Sequence, residues 1–286
     1  MPSTPLVSVI CLCYNQARFV EEAIHSVLQQ TYPNIELIVV DDASSDDSRR
    51  MIEKVLAPYP RVKYIALETN IGNCRAFNKG WRESAGEFII DLAADDVLMP
   101  KRVERGVEAF AQHDTSYGVS FSNAELVAGN GAFLKYHYNV DPSGLAKVPV
   151  PQGDVFLPLI QRYFICAPTM MYRRSVLDRL GGYDESLNYE DFDFWVRSSR
   201  LFKYIYTDEV LVKKRIVKGS KSQLQFKVGS KDFSSTYTVC VKAAALVASA
   251  GEKHALKKRV FYELRQALRF FDFKTALRYL ALLKNL

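Results

Sequence analysis

The chain lacks long apolar runs. No stretch of about 18 or more apolar residues, the length a bilayer-crossing helix needs, occurs in its 286 residues. It also lacks a basic start followed by an apolar segment and a small-residue cleavage site, the marks of a secretory leader. These absences lead to the expectation of a cytoplasmic protein that does not span a membrane. Cysteine is sparse and odd in number: Cys11, Cys13, Cys74, Cys166 and Cys240 show no metal-type spacing and read as reduced core thiols. There are only four histidines, in unrelated contexts. His25 and His113 read as surface residues, His137 falls in a loop where an acceptor would touch it, and none is given a catalytic role. With 48% hydrophobic residues, nothing is depleted enough to suggest disorder.

What the chain has is acid at strand ends. Asp41-Asp42 follows Leu37-Ile38-Val39-Val40, and Asp95-Asp96 follows a second apolar run. Such runs read as strands buried on both faces, so the carboxylates emerge at the C-terminal sheet edge, where open α/β sheets bind ligands. Negative charge gathered in one crevice calls for a divalent cation or a hydrogen-bonding base. Taken singly, either pair also reads as the cap of a following helix.

Strands and helices alternate. Val7–Cys13 is a strand, the apolar positions from Phe19 to Leu28 recur at helical spacing, and Ile35–Val40 is the second strand. A helix bearing Met51, Ile52, Val55 and Leu56 follows, then a strand over Val62–Leu67, a helix over Cys74–Ser84 and a strand over Phe88–Leu92. This spacing implies right-handed crossovers and a mostly parallel sheet. Beyond Pro100, which opens a helix to about His113, the alternation stops. Val119–Leu126 and Ala167–Tyr172 read as strands, Asp154–Tyr163, Arg174–Leu180 and Tyr189–Arg200 as helices, and Phe202–Tyr206 and Val210–Val217 as two closing strands. Ala128–Pro151, rich in Gly, Pro and Asn, reads as a mobile loop near the site, and Lys218–Asp232 as a linker or lid.

Charge concentrates at the end of the chain. From Ala255 to Leu286 there are eight Lys or Arg against Glu263 and Asp272, which accounts for the whole net +6. Interleaved with Leu264, Leu268, Phe270, Phe271, Phe273, Leu277, Tyr279, Leu280 and Leu283, they suit amphipathic helices. Residues 255–286 would lie on an anionic membrane surface, pack on the main body with their cations solvated, or serve a homodimer. No nucleic-acid partner is expected.

The segments VSVICLCYNQ, QQTYPNIELIVVDDASSDDS, NIGNCRAFNKG, AGEFIIDLAADDVLMP and GGYDESLNYEDFDFWVR, in this order and spacing, resemble family 2 glycosyltransferases of the bacterial surface-polysaccharide type. The likeness runs from about Leu6 to Ser222. It implies an α/β GT-A (nucleotide-diphospho-sugar transferase) fold: a Rossmann-like, mostly parallel central sheet flanked by helices, with a C-terminal helical extension. The implied organisation is a catalytic domain over 1–222, with a nucleotide-binding half (1–100) and an acceptor-binding half (101–222), followed by helices over 223–286.

The roles argued from the residues and carried over by the resemblance agree. The donor nucleotide falls to Tyr14, Asn15, Asp41, Arg75 and Asp95, with Asp41 accepting the pyrimidine N3–H. Where the family places an arginine immediately before the position of Asn78, this chain has Phe77. Asp96 is the expected ligand of Mn2+ or Mg2+, which would stabilise a departing diphosphate. Two departures touch this metal site: Ala93 stands where the first acid of the motif usually falls, and Val217 stands in place of a histidine after Arg215. Asp191, in the acidic pair Glu190-Asp191, is the expected general base, kept ionised by a helix N-terminus. Glu190 and Trp195 are assigned to donor or acceptor sugar.

The reading is an inverting transferase, peripheral on the inner face of the cell membrane. It takes sugar from a nucleoside-diphosphate donor, first a UDP-sugar and otherwise a dTDP-sugar such as a rhamnosyl donor, to a glycan or lipid-linked saccharide. A nucleotidyltransferase and a non-catalytic binding module remain as alternatives. The first would want a Gly-rich, cationic loop that CYNQARF does not supply.

Overall fold

In a computed structural model, the structure describes residues 4–217 and 232–286; the expected linker, apart from Asp232, lies outside the described residues. The first half follows the sequence pattern closely. β1 (Val7–Cys13), α1 (Val20–Leu28), β2 (Ile35–Asp41), α2 (Ser48–Leu56), β3 (Lys63–Ala66), α3 (Asn73–Arg82) and β4 (Phe88–Ala93) alternate as expected. Every residue of β1 is buried. Its two neighbours, β2 and β4, both run parallel to it, and β2 also pairs in parallel with β3.

The remaining elements are β5 (Val97–Leu98), α4 (Arg102–Ala111), β6 (Tyr117–Ala128), β7 (Phe133–Tyr136), α5 (Phe156–Gln161), β8 (Met171–Arg173), α6 (Arg174–Leu180), α7 (Asp191–Ser199) and β9 (Lys203–Ile216). One nine-stranded sheet results, ordered β3-β2-β1-β4-β8-β6-β9-β5, with β7 beside β6. Because β2 and β4 lie on opposite sides of β1, the chain reverses direction across the sheet at β1. That switch point opens a crevice at the C-terminal strand ends.

Helices cover both faces of the sheet. Val9 and Cys11 of β1 pack with Val20, Ile24 and Ile52 of α1 and α2 and with Val103 and Phe110 of α4. Ile10 and Leu12 pack with Phe77 of α3, Leu177 of α6 and Phe194 of α7. Burying each such aliphatic or aromatic side chain contributes about 1.5–3 kcal/mol. α3 lies so close to the sheet that a Cβ at Gly80 would stand 2.7 Å from Ile10 Cγ2. A third cluster joins Phe156 and Ile160 of α5 and Phe192 and Val196 of α7 to the C-terminal helices α8 (Asp232–Leu246), α9 (Ala250–Arg269) and α10 (Phe273–Asn285). No helix among the described residues is long and apolar enough to cross a membrane.

Three local expectations are corrected. The stretch read as a loop over Ala128–Pro151 contains β7, because the Gly129-Asn130-Gly131 turn closes a hairpin with Gly131 N–H on Ala128 O at 2.8 Å. The two closing strands are one, since Asp208 and Glu209 fall in a register shift between Thr207 and Val210 that leaves the pairing with β6 intact on both sides. Ala167–Tyr172 is not all strand: Pro168 sits in a 3-10 turn, and extended pairing begins only at Met171.

Candidate functional site

β1 and β2 end side by side, with Cys13 opposite Asp41. The loop after β1 is held to the loop after β2 by hydrogen bonds that use the asparagine expected at the nucleotide. Asn15 takes a left-handed backbone (φ 54°), which its short polar side chain tolerates. Its Oδ1 accepts from Ser45 N at 2.8 Å, and its own N–H donates to Ser44 Oγ at 2.9 Å. Gln16 N and Ala17 N continue the strap to Ser48 Oγ and Asp46 Oδ2. Asn15 thus shapes the loop, and Tyr14, 49% exposed beside it, presents an open ring. Asp41 is fully buried. Its carboxylate accepts from Ser44 N and pairs with Arg49 Nε at 3.3 Å. Asp42 turns the other way and accepts Ile71 N and Gly72 N, which sets the loop that opens α3.

Across the switch point, Leu12 pairs with Ala93 and β4 delivers the second acidic pair. Asp96 Oδ1 accepts Arg215 N at 2.8 Å, while Arg215 Nε donates to Asp95 O at 3.0 Å and Nη2 pairs with Glu22 at 2.5 Å. Arg215 therefore straps β9 onto the end of β4. Burial, then the neighbouring Asp95, pushes the Asp96 carboxyl up to about 7, and burial raises Asp95 as well. Asp96 Oδ2 takes no hydrogen bond among the described residues. Nor do the described residues hold a cluster of three or more His, Cys, Asp or Glu in metal-binding array. Asp95 and Asp96 stand together there as a buried carboxylate pair.

The third acidic pair arrives from the far half of the chain. Glu190 occupies the N-cap position of α7, without a side-chain capping bond, and Asp191 is the first residue of the helix. Asn73 Nδ2 donates to Glu190 Oε2 at 2.6 Å, tying the first turn of α3 to the start of α7. α7 is anchored behind the site: Asp193, 1% exposed, pairs with Arg197 at 2.6 Å and with Lys242 of α8 at 2.5 Å. Trp195 is 3% exposed, with its indole N–H on Met170 Sδ at 3.1 Å and its ring edge-on to Tyr163. It is a core residue supporting α7, and the expected sugar contact through its ring is corrected: no face of the ring is open.

Three features escaped the sequence reading. Arg49, the second residue of α2, is the arginine at Asp41. Arg75 instead leans toward Glu185, at 3.8 Å and 55% exposed, in company with Arg82. Asp91 lies on β4 two residues before Ala93, so the two share a strand face. Its carboxylate accepts the Tyr183 hydroxyl at 3.0 Å, and burial, then Glu190, raises it well above the usual carboxylate range, with Asp191 and Asp96 adding to the push. Lys214 stands among Asp96, Asp191 and Asp95, a cation inside the acidic crevice. The pattern "acid after apolar run" marks the strand ends but says nothing about which distant cation folds over them. His137 is likewise structural, bonded through Nε2 to Phe164 O at 2.7 Å.

Residues 8–181 match the model of the family described as glycosyl transferase family 2. An uncharacterized glycosyltransferase of Rickettsia prowazekii is 31% identical over 215 residues, 74% of this chain and 64% of that protein. A second, from Nostoc, is 34% identical over 181 residues, 61% of this chain and 52% of that one. The chain spans between about a third and two thirds of the length of such relatives, 34% for one from Rickettsia felis. Among solved structures, S. aureus TarS in complex with UDP-GlcNAc superposes with a TM-score of 0.67 at 21% identity, covering 93% of this chain and 73% of that one. The mannosyltransferase PcManGT of Pyrobaculum calidifontis, in complex with GDP-Man and Mn2+, gives 0.66 at 18% identity, covering 98% and 75%. These likenesses establish a shared fold.

Proposed function

The chain belongs to glycosyl transferase family 2, and from that premise we propose that it transfers a sugar from a nucleoside-diphosphate donor to a saccharide acceptor with inversion. The observation that carries this reading is that acidic pairs at the ends of β2 and β4, the strands flanking β1, and at the start of α7 share one sheet edge, where Glu190, Asp191 and Asp96 all act on Asp91. Tyr14 offers an open ring for a base. Asp41 reads a pyrimidine N3–H once Arg49 gives way, which favours a UDP-sugar, or otherwise a dTDP-sugar. Solved relatives in fold have been seen with UDP-GlcNAc and with GDP-Man, so both base classes belong in the test.

The reaction asks three things of these residues. Asp191 holds a carboxylate at the N-terminus of α7, where the helix dipole favours the ionised form. It takes the proton of the attacking acceptor hydroxyl as the new carbon–oxygen bond forms at the anomeric carbon. The bond to the diphosphate breaks on the opposite face, and its electron pair leaves with the diphosphate. Asp95 and Asp96 fit a divalent cation: their carboxylates are raised by burial, and one Asp96 oxygen accepts no hydrogen bond among the described residues. Mn2+ or Mg2+ held there with the donor's phosphates would supply positive charge to the leaving group.

A second reading concerns the tail. Leu264, Ala267 and Tyr279 are buried against the body, which leaves a different stripe outside: Leu268, Phe271, Phe273, Leu277 and Leu280 are 44% to 70% exposed. Lys274, Arg278 and Lys284 lie among them in sequence. We propose that this surface settles on an anionic membrane carrying a lipid-linked acceptor for surface glycan synthesis.

A thermal-shift panel of UDP, GDP, CDP and dTDP, each with and without Mn2+, on the wild type and Asp96→Ala tests the donor reading. A metal-enhanced shift that Asp96→Ala abolishes supports it, because binding to the folded state raises the melting temperature. No shift with any nucleotide refutes it.

A further inference from the structure

β9 brings two adjacent basic residues to the end of β4, and strand alternation sends them to opposite faces. Arg215 is fully engaged, with Nε on Asp95 O, Nη2 on Glu22 and its guanidinium 4.8 Å over the Phe19 ring. Lys214 goes the other way, into the crevice, where its charge is felt by Asp95, Asp96 and Cys166, and by His137 across the β6 side. Burial works against its charged form, yet Cys166, Asp96, Asp191 and Asp95 together raise it above the ordinary lysine value. Among the described residues its ammonium closes no ion pair within 4.0 Å and donates no hydrogen bond, although its backbone pairs with β6.

A half-buried ammonium without a direct partner is costly, and a lysine normally moves to close an available ion pair. Here the surrounding carboxylates hold the cation electrostatically but leave it at a distance, which is the arrangement expected when the close partner is an anion that comes and goes. The crevice also requires such a cation. It already carries Asp95, Asp96, Glu190 and Asp191, and a diphosphate entering it adds at least two further negative charges. Two positions from which the resemblance would have supplied metal ligands are occupied by Ala93 and Val217. Lys214, three residues before Val217, supplies fixed positive charge in the same neighbourhood.

We propose that Lys214 is a further catalytic residue of this chain, its ammonium binding the donor's diphosphate and stabilising the charge that develops on it as the sugar leaves. The inference rests on the transferase reading above. In the transfer, the electron pair of the broken sugar–oxygen bond goes to the terminal phosphate and the acceptor's proton goes to Asp191. Lys214 keeps its proton and acts as a point charge, as lysines at phosphates do. A fixed ammonium of this kind lets a nucleoside diphosphate bind without a divalent ion.

Calorimetric titration tests this. The ligand pair is the nucleoside diphosphate that shifts the wild type most in the panel above and its parent nucleoside. The proteins are wild type, Lys214→Met and Lys214→Arg, each in EDTA and again in Mn2+. In EDTA the wild type is expected to favour the diphosphate over the nucleoside, and Lys214→Met to lose about ten-fold of that preference, with nucleoside affinity unchanged and Lys214→Arg restoring part of it. Melting temperatures of the free proteins establish that each variant is folded, and Lys214→Gln is carried in parallel should the methionine variant not fold. An unchanged diphosphate preference in a folded variant overturns the proposal. So does a wild type that binds the diphosphate only with Mn2+ and equally well as Lys214→Met, an outcome that leaves the transferase reading standing. A wild type that binds no nucleotide under either condition fails the transferase reading itself, and Lys214's role with it.

Discussion

Asn73 Nδ2 lies 2.6 Å from Glu190 Oε2, a hydrogen bond across 117 residues of sequence that joins the first turn of α3 to the N-cap of α7. Asp42 sets the other side of that turn by accepting Ile71 N and Gly72 N. The acidic pair after β2 therefore acts on the placement of the acidic pair before α7 through two short links. Asn73→Ala is expected to lower kcat by about ten-fold while changing donor KM little, since a misplaced carboxylate costs rate before it costs binding. A steady-state comparison of both constants checks it; an unchanged kcat removes the link from the mechanism.

Asp191→Asn keeps the shape of the side chain and removes the base. Turnover should fall by about 10²–10⁴-fold, with nucleoside-diphosphate binding close to wild type by calorimetry. Near-normal turnover would exclude Asp191 as the proton acceptor.

Arg49 covers the Asp41 carboxylate at 3.3 Å and is itself 44% exposed, so it can swing aside at modest cost. Asp41→Ala should weaken binding of the preferred nucleoside diphosphate by about ten-fold or more, the loss expected for one buried hydrogen bond to a charged group. Binding of inorganic diphosphate should not change. A loss shared equally by both ligands would place Asp41 at the phosphates instead.

Asp184 gives a pH prediction. Burial alone would raise its carboxyl, but the Lys242 and Ser186 hydrogen bonds outweigh that and hold it at about 2, below the usual 3.8. A carboxyl depressed in the folded state adds stability above its unfolded value, and that contribution fades as pH falls through the folded one. Asp184→Asn should therefore cost about 2 kcal/mol near neutral pH and almost nothing near pH 2, since a ten-fold change in proton affinity is worth about 1.4 kcal/mol. Denaturant melts across that range would show it; a pH-independent cost would mean that Asp184 acts by packing.

For the tail, Phe271→Ser with Leu277→Ser removes two side chains that are 70% and 67% exposed and touch no core cluster. Co-sedimentation with anionic vesicles should drop several-fold, the consequence of withdrawing two apolar insertions, while the melting temperature stays within a degree or two. Equal sedimentation of the double variant would refute membrane contact.

The first half of the fold was legible because β1, β2 and β4 are largely buried and read as continuous apolar runs, and its helices are short and strongly one-sided. The second half was less so. Residues 128–151 contain a hairpin whose outward residues Phe133 and Leu134 are exposed, so no alternation marked it. β9 continues through an Asp-Glu bulge that resembles a break. At the site, the acids announced themselves by position, whereas Arg49, Asp91 and Lys214 did not. What gives those three a role is the partner each meets across the crevice, and sequence spacing does not encode that. Trp195, assigned to donor or acceptor sugar, instead fills the space beneath α7.

Arg259 and Glu263 pair at 2.9 Å in the interior, with the guanidinium 3.6 Å over Tyr163 and 4.6 Å over Phe192 of α7. One of the cations that made the end of the chain look like a solvated basic tail is therefore hidden, together with its acidic partner, against the helix that carries Asp191. Cutting the chain ahead of α9 would strip Phe192 of its cover and leave Tyr163 facing water, so a shortened protein tests folding before it tests targeting. The tail is a hull plate, not a mooring line: it is fastened to the helices behind the crevice, so its outer stripe and the crevice keep one tilt relative to each other.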